Sequence, residues 1–311
     1  MVLLWIGIII SLIGIVWGAN NLVDGSVAVA RRHRVSEFIV GALIIGVGTS
    51  MPEFLVSLSG VWKSNPDIAI GNVVGSNIFN ILGILGLVAL LKPIPIKFEN
   101  TRFDLLWCLG VSLYIYFSVQ DNPTHTLISS CGWILTVSFI IYILLSFLNT
   151  EPDKALPSTY IPRKSVWKYA FQIIGGLLVL IISCDYFVNC GLQLAKNFGV
   201  SDSVVALTLL AWGTSLPELA ASLAAIFKKT PQLALGNIVG SNIFNISLIL
   251  GVCSQISPLT TTNIGTVDYL VMVGAVLMLI ICSLVGRIGR VGGALMLLSL
   301  AGYTLYLLGG I

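Results

Sequence analysis

The chain has 311 residues, 57% of them hydrophobic and only 9% charged, with a mean hydropathy of +1.00. A soluble domain carries about a quarter of its residues as charges, so water is excluded as the main solvent. The net charge of +3 says little about partners by itself, and no nucleic-acid partner is expected.

Apolar runs of about 17 residues or more, the length a helix needs to cross roughly 30 Å of hydrocarbon, recur ten times. They centre near residues 11, 47, 79, 111, 138, 180, 213, 245, 276 and 300. The first opens Met1-Val2-Leu3-Leu4-Trp5 with no basic residue ahead of it and no small-residue cleavage pattern after it, so it is expected to stay as a first helix.

The second and third runs contain residues 48–86, GTSMPEFLVSLSGVWKSNPDIAIGNVVGSNIFNILGILG. Glu53 sits in the middle of the second run, where a carboxylate is costly unless it is paired or faces a polar cavity. No Lys or Arg lies in any run to pair with it. Thr49 and Glu53 are four apart and share a helix face, as do Ser76 and Asn80 in the next run. Pro52 removes an amide donor and pushes the helix away from the carbonyl four residues earlier, which predicts freed oxygens near Gly48 and Gly46.

Residues 149–167, between the fifth and sixth runs, carry Pro152, Pro157 and Pro162 and read as a cytoplasmic linker too short to fold alone. Beyond it the motif returns. Residues 213–251, GTSLPELAASLAAIFKKTPQLALGNIVGSNIFNISLILG, align with 48–86 without a gap at an offset of 165. Glu218, Thr214, Ser241 and Asn245 repeat the spacings of the first copy, and Pro217 predicts freed carbonyls near Gly213 and Ala211. The same offset pairs Val35-Ser36-Glu37 with Val200-Ser201-Asp202, and Asp24 with Asn189, so duplication extends past the motif.

The expected organisation is a first five-helix repeat over 1–148 (motif 41–91), the linker 149–167, and a second repeat over 168–311 (motif 206–256). Five is odd, so the second copy enters the membrane from the opposite side: an all-α polytopic fold of ten transmembrane helices in two inverted repeats. Loops after odd-numbered helices hold Arg31, Arg32, Arg34, Lys92, Lys97, Arg102, Lys154, Arg163, Lys164, Lys168, Lys228, Lys229, Arg287 and Arg290; the other side holds only Lys63 and Lys196. Both termini are therefore expected outside the cytoplasm, in a cell (inner) membrane, with the linker inside.

The candidate site contains carboxylate, hydroxyl, amide and carbonyl oxygens. The only histidines, His33 and His125, are expected in loops, and the six cysteines read as small buried hydrophobes. Oxygen sets of this kind suit hard cations such as calcium or sodium. No phosphate-binding loop occurs, so no nucleotide or resident cofactor is expected, and transport energy would come from a second ion's gradient. Gly71, Gly75, Gly236 and Gly240 are expected to allow close helix approach. Asp24 and Asp185 either line an access path or serve packing and hydrogen bonding.

Two copies of G-T-S-x-P-E followed by G-N-x-V-G-S-N-I-F-N resemble the paired alpha repeats of the calcium/cation antiporter superfamily, and within it the compact prokaryotic sodium/calcium exchangers. The resemblance covers the whole chain. It implies that helices two, three, seven and eight enclose the ion sites while helices one and six slide across them. It further implies that Glu53 and Glu218 bind calcium together with Thr49 and Thr214, and also hold sodium. Ser50, Ser76, Asn80, Ser215, Ser241 and the carbonyls of Gly46 and Ala211 would complete the sodium sites. Asn245 departs from members with Asp there, which argues against potassium coupling.

One Ca²⁺ on two carboxylates is neutral, whereas the family's three Na⁺ would leave one positive charge, making exchange electrogenic. Calcium and sodium thus enter as substrates, not cofactors. The bilayer is the other partner, a monomer suffices, and no enzyme activity is expected. Three alternatives stand beside this reading: a proton/calcium exchanger of the same superfamily, a cation channel lined by Glu53 and Glu218, and a non-transporting scaffold.

Overall fold

The computed structural model describes residues 2–120, 125–148, 166–198, 213–261 and 264–309. In chain order its helices are α1 (Val2–His33), α2 (Glu37–Thr49), α3 (Met51–Trp62), α4 (Pro66–Leu91), α5 (Phe98–Gln120), α6 (Ser129–Leu148), α7 (Val166–Asn197), α8 (Leu216–Phe227), α9 (Pro231–Ile256), α10 (Thr266–Val285) and α11 (Arg290–Gly309). Among the described residues, eight helices are long and apolar enough to span a membrane, and α2 with α3 makes a ninth, bent span. The seventh expected run supplies α8; its first half, residues 199–212, lies outside the described residues, as does most of the linker. The protein is an all-α polytopic membrane protein.

Two boundaries differ from expectation. α1 continues through Arg31, Arg32 and His33, where cationic side chains interact favourably with the helix C-terminus. α7 starts at Val166, inside the expected linker.

The second span breaks at Ser50, between α2 and α3. Ser50 (φ −82°, ψ 7°) leaves the helical region just before Pro52, whose missing N–H cannot continue the ladder. Ser215, just before Pro217, adopts nearly the same conformation (φ −86°, ψ 7°). The sequence repeat is thus a repeat of backbone geometry. It extends to the turns: Ser64 and Lys229, 165 apart, both have left-handed φ (57° and 64°). In each turn paired backbone bonds, Ser64 N–H to Val61 O with Asn65 N–H to Gly60 O, and Lys229 N–H to Ile226 O with Thr230 N–H to Ala225 O, close a helix C-terminus. The tight hairpins α3–α4 and α8–α9 follow from them.

Among the described residues, three stretches wind as π-helix: Gly41–Gly46 in α2, Phe79–Leu85 in α4 and Asn245–Leu250 in α9. Wider turns of this kind leave backbone groups less regularly bonded and recur at functional sites.

The chain forms two compact units that cut across the repeats: Met1–Ser50 with Thr150–Asn237, and Met51–Asn149 with Ile238–Ile311. In the first, α1 and α7 pack along each other. A Cβ on Gly18 would lie 2.7 Å from Leu180 N, and one on Gly176 2.7 Å from Leu22 N, so backbone meets backbone. Their outer faces expose Ile9, Ile10, Ile13, Val16, Phe171, Ile174 and Ile182, as lipid contact requires. In the same unit a Cβ on Gly236 would overlap the Phe38 carbonyl. Gly75 has nothing within 4 Å of that position, so the close approach expected of it is absent.

In the second unit α4 and the later part of α9 are central. The most apolar stretches of these two helices are 78% and 94% buried, against 11% for α11. Two short antiparallel ribbons, β1 (Ile94–Pro95) with β4 (Arg287–Ile288) and β2 (Thr126–Leu127) with β3 (Leu259–Thr260), tie its loops. Each ribbon joins two odd-numbered or two even-numbered loops, the pairing that the charge partition requires of loops on one face.

Asp104 and Asp268, both passed over in the sequence, are buried in this unit. Asp104 accepts from Tyr142 Oη at 2.8 Å, and Asp268 accepts from Tyr303 Oη at 2.7 Å and from the Gly265 N–H at 2.7 Å. The last bond caps α10. These acids hold helices together.

Candidate functional site

Thr49, Ser50, Glu53, Ser76, Asn80, Ser215, Glu218, Ser241 and Asn245 are all at most 1% exposed. Gly46 is buried, and Thr214 has a buried hydroxyl. Ala211 lies outside the described residues. Gly46, Thr49, Ser50, Thr214, Ser215 and Glu218 belong to the first unit; Glu53, Ser76, Asn80, Ser241 and Asn245 belong to the second.

In the first unit, Glu218 occupies the first turn of α8, where the helix N-terminus favours an anion. Ser50 Oγ donates to Glu218 Oε1 at 3.0 Å. Glu218 Oε2 is buried and has no hydrogen-bonding partner within the protein. Asn237 anchors this hairpin, its Nδ2 donating to the Glu218 backbone oxygen at 3.2 Å and to Ser222 Oγ at 3.0 Å. Thr49 Oγ1 lies 3.0 Å from Ile45 O and 3.3 Å from Asn237 Oδ1. The Gly46 carbonyl accepts the Ser50 N–H at 3.1 Å, so the kink does not strip it of its helical bond.

In the second unit, Glu53 takes the same place in the first turn of α3. Asn72 Nδ2 donates to the Glu53 backbone oxygen and to Ser57 Oγ, both at 3.0 Å, reproducing the Asn237 anchor residue for residue. Beside it, four buried asparagines bind α4 to α9. Asn77 and Asn242 each donate to the other's backbone oxygen, at 3.1 and 3.2 Å. Asn80 Nδ2 donates to Asn242 Oδ1 at 3.0 Å, and Asn245 Nδ2 to Asn77 Oδ1 at 3.1 Å. Ser76 Oγ, Asn80 Oδ1, Asn245 Oδ1 and Ser247 Oγ are buried without a partner inside the protein.

The chemistry follows from which atoms are satisfied. The amide nitrogens of Asn72, Asn77, Asn80, Asn237, Asn242 and Asn245 all donate, while the partnerless atoms of the two motifs are oxygens. A buried acceptor left unmet costs about 1–3 kcal/mol, and a hard cation is the ligand that oxygens of this kind hold. Among the described residues no three His, Cys, Asp or Glu side chains cluster, so zinc- or copper-type sites are not built there.

Sequence reasoning missed Asn72, Asn237, Asn77, Asn242, Ser57 and Ser222. The available signal was that each stands at the same place in both motif copies. Asp24, one of the two acids left open, forms an ion pair with Lys228. The other, Asp185, accepts from Asn189 Nδ2 at 3.1 Å.

A family model described as sodium/calcium exchanger protein matches residues 3–148 and 168–309. The chain belongs to the sodium/calcium exchanger family. Within it, the chain is 36% identical to the putative antiporter CaxA of Alkalimonas amylolytica, over 99% of both chains. It is 27% identical to the sodium/calcium exchanger MaX1 of Methanosarcina acetivorans, over 88% of this chain and 90% of that one. A solved structure of the sodium-calcium exchanger NCX_Mj, soaked with Na⁺ and Ca²⁺, is similar with a TM-score of 0.83 and 33% identity over 96% of each chain.

Proposed function

We propose that this member of the exchanger family exchanges Ca²⁺ for Na⁺ by alternating access, with Glu53 and Glu218 as its charged ligands. The observation that carries the reading is the Glu218 carboxylate: fully buried, half satisfied by a hydroxyl of the other motif copy, and with its second oxygen unmet inside the protein. Thr49, Ser50, Thr214, Ser215, Ser76, Asn80, Ser241, Asn245 and the carbonyls of Gly46 and Ala211 supply neutral oxygens. A single carboxylate per repeat suits an ion exchanged against another of the same sign, because neither copy alone neutralises a divalent cation.

The choice of ions is supported by the likeness to NCX_Mj and MaX1, both named sodium/calcium exchangers. With three Na⁺ against one Ca²⁺, one charge moves per cycle, worth about 2.3 kcal/mol per 100 mV, and a negative-inside potential favours calcium export. The charge partition supports an inner-membrane orientation with cytoplasmic linker and external termini. The test is ⁴⁵Ca²⁺ uptake into proteoliposomes loaded with Na⁺ and diluted into Na⁺-free buffer, with pH clamped. Uptake that follows the sodium gradient supports the reading; uptake that follows only a pH gradient makes the protein a proton/calcium exchanger.

A further inference from the structure

We infer that Asn77 and Asn242 are positioning residues that fix which atom of the Asn80 and Asn245 amides is offered to a cation. The inference rests on the reading above that Asn80 and Asn245 are cation ligands.

An amide side chain can turn over, exchanging a cation-binding oxygen for a cation-repelling NH₂ group. The two ends look alike in shape, so the surroundings must choose between them. Here the choice is forced by groups that cannot turn over. A backbone carbonyl only accepts, so the Asn242 atom 3.2 Å from Asn77 O is the nitrogen. The other end of Asn242 is then its oxygen, which also only accepts. The Asn80 atom 3.0 Å from that oxygen must therefore be Nδ2. Asn80 Oδ1 is left facing away, buried and without a partner in the protein.

The second copy repeats each step. Asn77 Nδ2 is held by Asn242 O at 3.1 Å, Asn77 Oδ1 accepts from Asn245 Nδ2 at 3.1 Å, and Asn245 Oδ1 remains. All four side chains are at most 1% exposed, so water does not compete for these bonds. Turning either ligand amide over would break its bond and set oxygen against oxygen. Asn77 and Asn242 thus act through Asn245 and Asn80, without touching the ion themselves.

A double-mutant cycle on the purified full chain tests this. Apparent Na⁺ and Ca²⁺ affinities are read from Na⁺-driven ⁴⁵Ca²⁺ flux and from the rise in unfolding temperature that each ion causes, and ion-free stability is measured alongside. Asn80→Ala and Asn242→Leu should each weaken cation binding, Na⁺ binding foremost, by about tenfold, and the double variant should be no weaker than Asn80→Ala alone. Asn245→Ala with Asn77→Leu should behave the same way, and serves as the test should Asn242→Leu not fold. Losses that multiply to about a hundredfold overturn the inference and leave Asn242 a helix-packing residue. Full Na⁺ and full Ca²⁺ affinity in both Asn80→Ala and Asn245→Ala overturns the ligand reading, and the inference with it.

Discussion

Ser50, in the first motif copy, donates its hydroxyl hydrogen to Glu218 of the second copy at 3.0 Å. The bond fixes one carboxylate oxygen and leaves the other for an ion. A hydrogen bond to a charged group contributes about 1.5–3 kcal/mol, so Ser50→Ala should raise the apparent Ca²⁺ KM roughly tenfold or more. Ser50→Thr, which keeps the hydroxyl, should lose less. Equal effects from the two substitutions would show that the hydroxyl is not what matters.

Neutralising either acid should stop exchange while leaving the bundle folded. Losing one partner of a buried charged pairing costs on the order of 2–5 kcal/mol, so Glu218→Gln and Glu53→Gln should each cut Ca²⁺ affinity by about 30-fold or more. Their ion-free unfolding temperatures should not fall, since a buried carboxylate is replaced by a neutral group of the same shape. A Gln variant that still exchanges would remove that residue from the site.

The tyrosine–aspartate bonds should matter for stability alone. Tyr142→Phe and Tyr303→Phe strip a donor from Asp104 and Asp268, at a cost of about 1–3 kcal/mol each. Thermal melts should show the loss, with the Ca²⁺ KM unchanged; a shifted KM would place these acids in the transport path.

Gly236 and Gly75 make a matched pair. Gly236→Ala would drive a methyl into the Phe38 carbonyl and should cost about 1–3 kcal/mol, whereas Gly75→Ala meets nothing within 4 Å and should be silent in the same melt.

What was legible in the sequence was whatever is local and duplicated. Ser76 and Asn80 fall on one helix, as their spacing predicts, and an acid in the middle of an apolar run announces itself; Thr49 and Glu53, equally spaced, fall on α2 and α3 because the helix breaks at Ser50 between them. The offset of 165 made the duplication readable without coordinates. What stayed hidden depends on distant partners. Nothing near Asn80 says which way its amide turns, because Asn242, 162 residues on, decides it. Asp104 and Asp268 carry no local signal of their role, which is set by tyrosines 38 and 35 residues later that bond to them. Pro52 predicts a freed carbonyl at Gly46, but the Ser50 N–H still reaches that carbonyl, since a proline deletes only its own donor.

The most direct measurement is counter-ion dependence in proteoliposomes containing only this protein. ⁴⁵Ca²⁺ should accumulate against its own gradient when Na⁺ is trapped inside, with pH clamped, and should fail to accumulate when choline replaces Na⁺. Calcium entry at an equal rate in both cases, with no opposing ion, would describe a channel and contradict exchange.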